Sequence, residues 1–171
     1  ACIVIFIFIF QKIKKHYNFL AKNLSLENLK NFKSRTTNKV FLLVSSLHMG
    51  PLEALNYSRS IAKNTADIEA VYVALDPDNI PVIQEKWKKH VKDIKLVILD
   101  SPYRSLNEPM LQYFKEVSGK YPDSFLTIIV PEFRTKSNLS IFLHNQTAMF
   151  LKQALTSKKY QVITSFRYYL Y

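Results

Sequence analysis

Glycine is scarce in this sequence, with Gly50 and Gly119 the only two in 171 positions. A P-loop, a G-x-G-x-x-G turn or a G-x-S-x-G elbow each needs clustered glycines, so none can be written here. The single Cys2 excludes an internal disulfide and any C-x-x-C metal or redox site. No H-E-x-x-H occurs, and His48 with His144 lacks a third ligand by spacing, which argues against a metal centre. Acids are short too: 13 Asp and Glu face 24 Lys and Arg, a formal charge of +11. That excess is uneven. Residues 1–39 hold eight Lys and Arg against Glu27 alone, leaving the remainder only mildly basic. The remainder also carries no RNA-recognition signature, so nucleic acid is not an expected partner.

What is present begins with Ala1–Phe10, an apolar run without a charge, followed by Lys12, Lys14 and Lys15. A spanning helix needs about 20 apolar residues, so this run is half of one. No basic segment precedes it and no small-residue cleavage site follows, which argues against a signal peptide. The simplest expectation is that residues 1–15 are the end of a transmembrane helix and its basic flank, with the rest on the cytoplasmic side. A buried strand or a vector-derived end is the alternative. Residues 16–38 are basic with Leu20, Leu24, Leu29 and Phe32 at roughly helical spacing. This fits a juxtamembrane helix, with residues 11–35 lying against an anionic membrane surface, or a solvated linker.

From residue 39 to 171 strand and helix patterns alternate. Val40–Val44 is an unbroken apolar strand, the mark of burial on both faces. Gly50-Pro51-x-Glu53 then opens a helix, with glycine at the cap. Further strands are expected near 67–75, 94–99, 125–130 (ended by Pro131) and 161–166. Helices are expected between them, including one from Ser105-x-x-Glu108 to a left-handed cap at Gly119, and one over 145–155. Five strands alternating with four helices predict an α/β fold, a doubly wound five-stranded parallel sheet.

Ligands of such sheets bind at the carboxyl ends of the strands. Five polar clusters fall there: Ser45-Ser46-Leu47-His48, Asp76, Ser101–Ser105, Pro131–Arg134 and His144–Thr147. Hydroxyls, imidazoles and an amide near helix N-termini, with Arg104 close by, suit a phosphate or phosphodiester, and Tyr103 suits stacking on a base. Each residue also has a structural explanation: Ser45 and Ser46 as strand-end hydrogen bonders, His144 or Asn145 as a helix cap, Arg104 as a partner of Asp100 or Glu108. A His48–Glu132 dyad near Ser46 can be drawn, but nothing in the spacing requires it. The pattern therefore points away from an enzyme.

The strand order resembles the universal stress protein fold, sheet order 3-2-1-4-5. Nucleotide-binding members of that family carry G-x₂-G-x₉-G-[ST] after strand four. Here Phe133-Arg-Thr-Lys136 and His144-Asn145 stand at those places, so ATP is not implied. A fuller likeness runs through SSLHMG, SPYRSL, VPEF and HNQTA. Together they resemble the cytosolic C-terminal domain of bacterial permeases of the amino acid–polyamine–organocation superfamily, including the potassium-importing KimA type. The resemblance implies a domain following the last transmembrane helix and attached to its own transmembrane part. It implies a homodimer in the cell membrane, potassium or amino acid transport, and inhibition by cyclic di-AMP. Carried over by position, the ligand candidates are Ser45, Ser46, His48, Tyr103, Arg104, His144 and Asn145.

Overall fold

The computed structural model of the chain describes residues 2–25, 34–134 and 161–169. The chain divides into two units, Ala1–Ser34 and Arg35–Tyr171.

In the first unit α1 (Cys2–Leu24) is one continuous helix that runs through Lys15 and His16 without a break. The alternative of an opening strand is thereby excluded for these residues. Ile3 to Phe10 are all exposed on it. Among the described residues no helix is long and apolar enough to cross a membrane, because the apolar stretch gives way at Gln11 and Lys12.

The second unit is built on five parallel strands, β1 (Thr37–Val44), β2 (Ile68–Ala74), β3 (Lys95–Asp100), β4 (Ser124–Arg134) and β5 (Gln161–Tyr169). Their order is β3-β2-β1-β4-β5, the doubly wound arrangement expected. Between them lie α2 (Met49–Ile61), α3 (Ile80–His90) and α4 (Asn107–Lys120). The period of two in β1 sends its side chains to opposite faces. Val40, Leu42 and Val44 join Ala54 and Leu55 of α2 and Ile83 and Trp87 of α3. Phe41 and Leu43 join Met110, Phe114 and Val117 of α4. Phe41 meets Phe114 edge-on with ring centroids 5.4 Å apart. The central strand is thus covered on both sides, which is why its sequence shows no polar alternation. The helix expected over 145–155 lies outside the described residues.

Three local expectations are corrected. Gly50 is not the cap of α2: His48 is, in an extended conformation (φ −147°), and its side chain accepts from the Gly50 N–H. Gly50 and Pro51 sit inside the first turn, where a missing donor costs nothing. Ser105 and Glu108 do not form a capping box, since Leu106 precedes α4 and no side chain caps it. The Ser101 hydroxyl instead donates to the Ser105 carbonyl at 2.7 Å and the Arg104 N–H to the Ser101 carbonyl at 3.0 Å. This closes the loop with Arg104 in the left-handed region (φ 53°). Gly119 does not end α4 in a left-handed turn. The helix continues to Lys120 and Tyr121 closes it with an N–H donated to the Val117 carbonyl.

Pro131 also fails to end its strand. β4 pairs with β5 as far as Arg134 opposite Tyr169. Pairing of β4 with β1 stops at Ile129 opposite Leu42. Beyond that point β4 has lost one neighbour, and a residue without an N–H is least costly there.

Candidate functional site

A sheet in which every strand runs the same way brings all carboxyl ends to one edge. Winding reverses between β1 and β4, so the crevice of the switch point lies between their ends. Ser45 and Ser46 leave β1 there and are exposed. His48 follows, also exposed, with its ring turned back onto α2: Nδ1 accepts the Gly50 N–H at 3.2 Å. Nδ1 is therefore unprotonated in this arrangement, and Nε2–H faces the Tyr168 hydroxyl at 3.4 Å.

Tyr168 is the part of the site that local sequence did not reveal. It stands on β5, 120 residues from His48, with the two rings tilted at 52° and their centroids 5.5 Å apart. Its ring also lies over Gly50, where an added Cβ would come within 2.3 Å. Only glycine permits that approach. Burial pushes the Tyr168 phenol above its ordinary value. The signal that could have found this pair is one of the two glycines standing on a helix's first turn, where nothing in the turn itself demands it.

The N–H groups of α2's first turn are partly consumed. Gly50's is taken by His48, Pro51 has none, and Met49's is left. A phosphate seated at this helix end would have to displace His48 from Gly50.

Beside it, Glu132 is a carboxylate only 6% exposed. It accepts from the Ser165 hydroxyl at 2.6 Å, and Arg167 Nε lies 3.7 Å from its other oxygen. The β4–β5 register makes this cluster, placing Arg167 opposite Glu132 and Ser165 opposite Val130. No His48–Glu132 dyad forms; His48 is engaged by Gly50 and Tyr168.

Tyr103 and Arg104 share the same edge but stand apart from His48. They follow β3, two strand spacings from β1, about 10 Å along the edge. Tyr103 is 86% exposed, and Arg104 points into solvent from a loop tied down by Ser101. Asp76 is occupied locally, accepting from the Asp78 N–H and the Asn79 amide. His144 and Asn145 lie outside the described residues.

The family described as KimA potassium transporter C-terminal domain matches residues 35–168. The chain belongs to that family. The matched range takes in the sheet from β1 to Tyr168 and all seven ligand candidates. Outside the family profile, the chain is 26% identical over 167 residues to the Bacillus subtilis (strain 168) protein called Potassium transporter KimA, which covers 96% of this chain. It spans only 27% of that relative's length. A KimA-type C-terminal domain is thus a piece of a larger protein in that relative, and the SSLHMG, SPYRSL and VPEF phrases fall at the ends of β1, β3 and β4.

Proposed function

We propose that this chain is the cytosolic regulatory domain of a potassium-importing permease, and that the carboxyl edge of its sheet binds a nucleotide second messenger, cyclic di-AMP. The observation that carries the reading is the family match over residues 35–168, which includes the whole candidate edge. The chemistry supports it. Exposed Ser45 and Ser46 offer hydroxyls at the switch point, His48 and Arg104 offer donors to phosphate, and Tyr103 offers a free ring face for a base. His144 and Asn145 complete the set by position. ATP does not suit the site, because a bare-backbone phosphate cradle needs glycines and none follows Gly119 in the sequence. The domain carries out no chemistry of its own and binds no nucleic acid. Its apolar opening belongs to the last transmembrane helix, and Lys12, Lys14 and Lys15 hold the domain at the cytoplasmic face. Residues 11–35 rest on anionic lipid, and the permease works as a homodimer.

One observation favours a second reading, a ligand-free dimerisation module. The α2 N-terminus is already served by His48 and overlaid by Tyr168. Potassium uptake by the full-length permease in cells separates the two. The regulatory reading expects uptake to fall as cyclic di-AMP rises and to escape that control in His48→Ala and Arg104→Ala permeases. The second reading expects uptake to ignore the nucleotide and to fail only when dimers are lost.

A further inference from the structure

On the face of the sheet away from α4 there is a groove of about 370 Å³ between α3 and the edge strand β3. Its floor is apolar, formed by Trp87, Val91, Leu96 and Ile98, and Lys88 and Lys92 stand over it. The indole N–H of Trp87 is satisfied by the Ile94 carbonyl at 2.9 Å, which fixes that wall. Asp93, next to Lys92 in the chain, is held by two hydrogen bonds from Arg59, at 2.9 and 3.3 Å, and Glu85, one turn before Lys88 on α3, makes no ion pair with it among the described residues. Lys88 and Lys92 are exposed and make no ion pair among the described residues. A place in the last turn of α3 would explain Lys88 as a complement to the helix dipole. It does not explain Lys92, which lies beyond the helix.

The strand beside the groove is open. β3 pairs with β2 on one side and, among the described residues, with nothing on the other. Leu96, Val97, Ile98 and Leu99 are half-buried and hold neither proline nor an inward charge, and the exposed Lys95 and Asp100 stand only at the two ends of this six-residue strand. Floor, cationic rim and free backbone edge lie together. A lipid would use the first two. An extended peptide uses all three, by adding a strand to β3 and sending alternate side chains into the groove.

We infer that β3 and the groove beside it form a docking site for an extended acidic segment of a partner protein, with two apolar side chains and then two carboxylates at alternate positions on the face turned to α3. This site is separate from the nucleotide edge and stands without it. The volume suits two aliphatic side chains, and two carboxylates about 7 Å apart along the extended segment match Lys88 and Lys92, four residues apart at the end of α3.

The test uses the full chain in mild detergent and a labelled, end-blocked octapeptide Val-Thr-Val-Thr-Glu-Thr-Glu-Thr, with a twin bearing lysine in place of glutamate. The inference expects the acidic peptide to bind, to slow amide exchange across Leu96–Leu99, and to weaken about tenfold or more in Lys88→Glu/Lys92→Glu. The lysine twin should bind that variant better than it binds the wild type. Absence of binding, or equal binding to both proteins, overturns the inference. So does retention on anionic phospholipid vesicles that falls with the charge reversal while the peptide does not bind, which would make the groove a lipid site. A monomer–dimer equilibrium shifted by the same reversal in the absence of peptide also overturns it, in favour of a second copy of this chain.

Discussion

The ring of Tyr168 lies against Gly50 so closely that a Cβ on that residue would stand 2.3 Å from the tyrosine's Cζ. The clashing atoms are the far end of a side chain near the end of β5, so the ring has somewhere to go. Gly50→Ala should expel Tyr168 from His48 at modest cost, about 1 kcal/mol, and not unfold the domain. The Tyr168 phenol, raised by burial, should then fall back toward the ordinary tyrosine range near pH 10. Titration of its ring resonances by NMR checks this; an unmoved resonance contradicts the packing described.

His48 serves as cap acceptor, so His48→Ala should cost about 1 kcal/mol in urea unfolding. His48→Asp restores an acceptor at the positive end of α2 and should recover most of that loss. If alanine and aspartate destabilise equally, the cap is not what holds α2's first turn.

Gly119 gives a prediction of opposite sign to the one its sequence position suggests. A left-handed cap would make Gly119→Ala harmful. Gly119 instead lies within α4 at negative φ, and a Cβ there meets nothing within 4 Å. Alanine should therefore stabilise the domain by about 0.5–1 kcal/mol, seen as a higher urea midpoint with unchanged slope.

Tyr113 donates to the Glu69 carboxylate at 2.6 Å. Burial first, and that bond second, push its phenol well above the ordinary value. The fold therefore favours the neutral phenol. Its contribution is complete below about pH 10, the value of the unfolded chain, and is lost as pH rises above it. Tyr113→Phe should lose about 1–2 kcal/mol at neutral pH, and the gap from wild type should narrow between about pH 10 and 12. A gap constant with pH contradicts the assignment.

Much of the sheet was legible because burial on both faces leaves a direct mark: Val40–Val44 and Val71–Ala74 are apolar without alternation. The parallel order followed from helices separating the strands. What was not legible depends on partners distant in the chain. Pro131 reads as a strand end, yet pairing with β5 carries β4 past it, and no local feature of VPEF announces that neighbour. Gly50 reads as a cap because glycine commonly is one. Its actual requirement comes from Tyr168, on the strand that enters the sheet last. Arg104 takes a left-handed conformation that glycine would normally fill, held there by Ser101 four residues before Ser105. Of the site, the placement of Ser45, Ser46, His48, Tyr103 and Arg104 on one edge was readable from strand ends. The separation of the β3 pair from His48 was not, because it depends on which strand lies between them.

Calorimetric titration of the second unit, residues 35–171, with cyclic di-AMP tests the binding proposed for this edge. The expected result is saturable heat with cyclic di-AMP at a Kd of about 10 μM or tighter, weakened about tenfold or more by His48→Ala or Arg104→Ala, and no heat with ATP. No heat with cyclic di-AMP at about 100 μM, or binding indifferent to both substitutions, would contradict it.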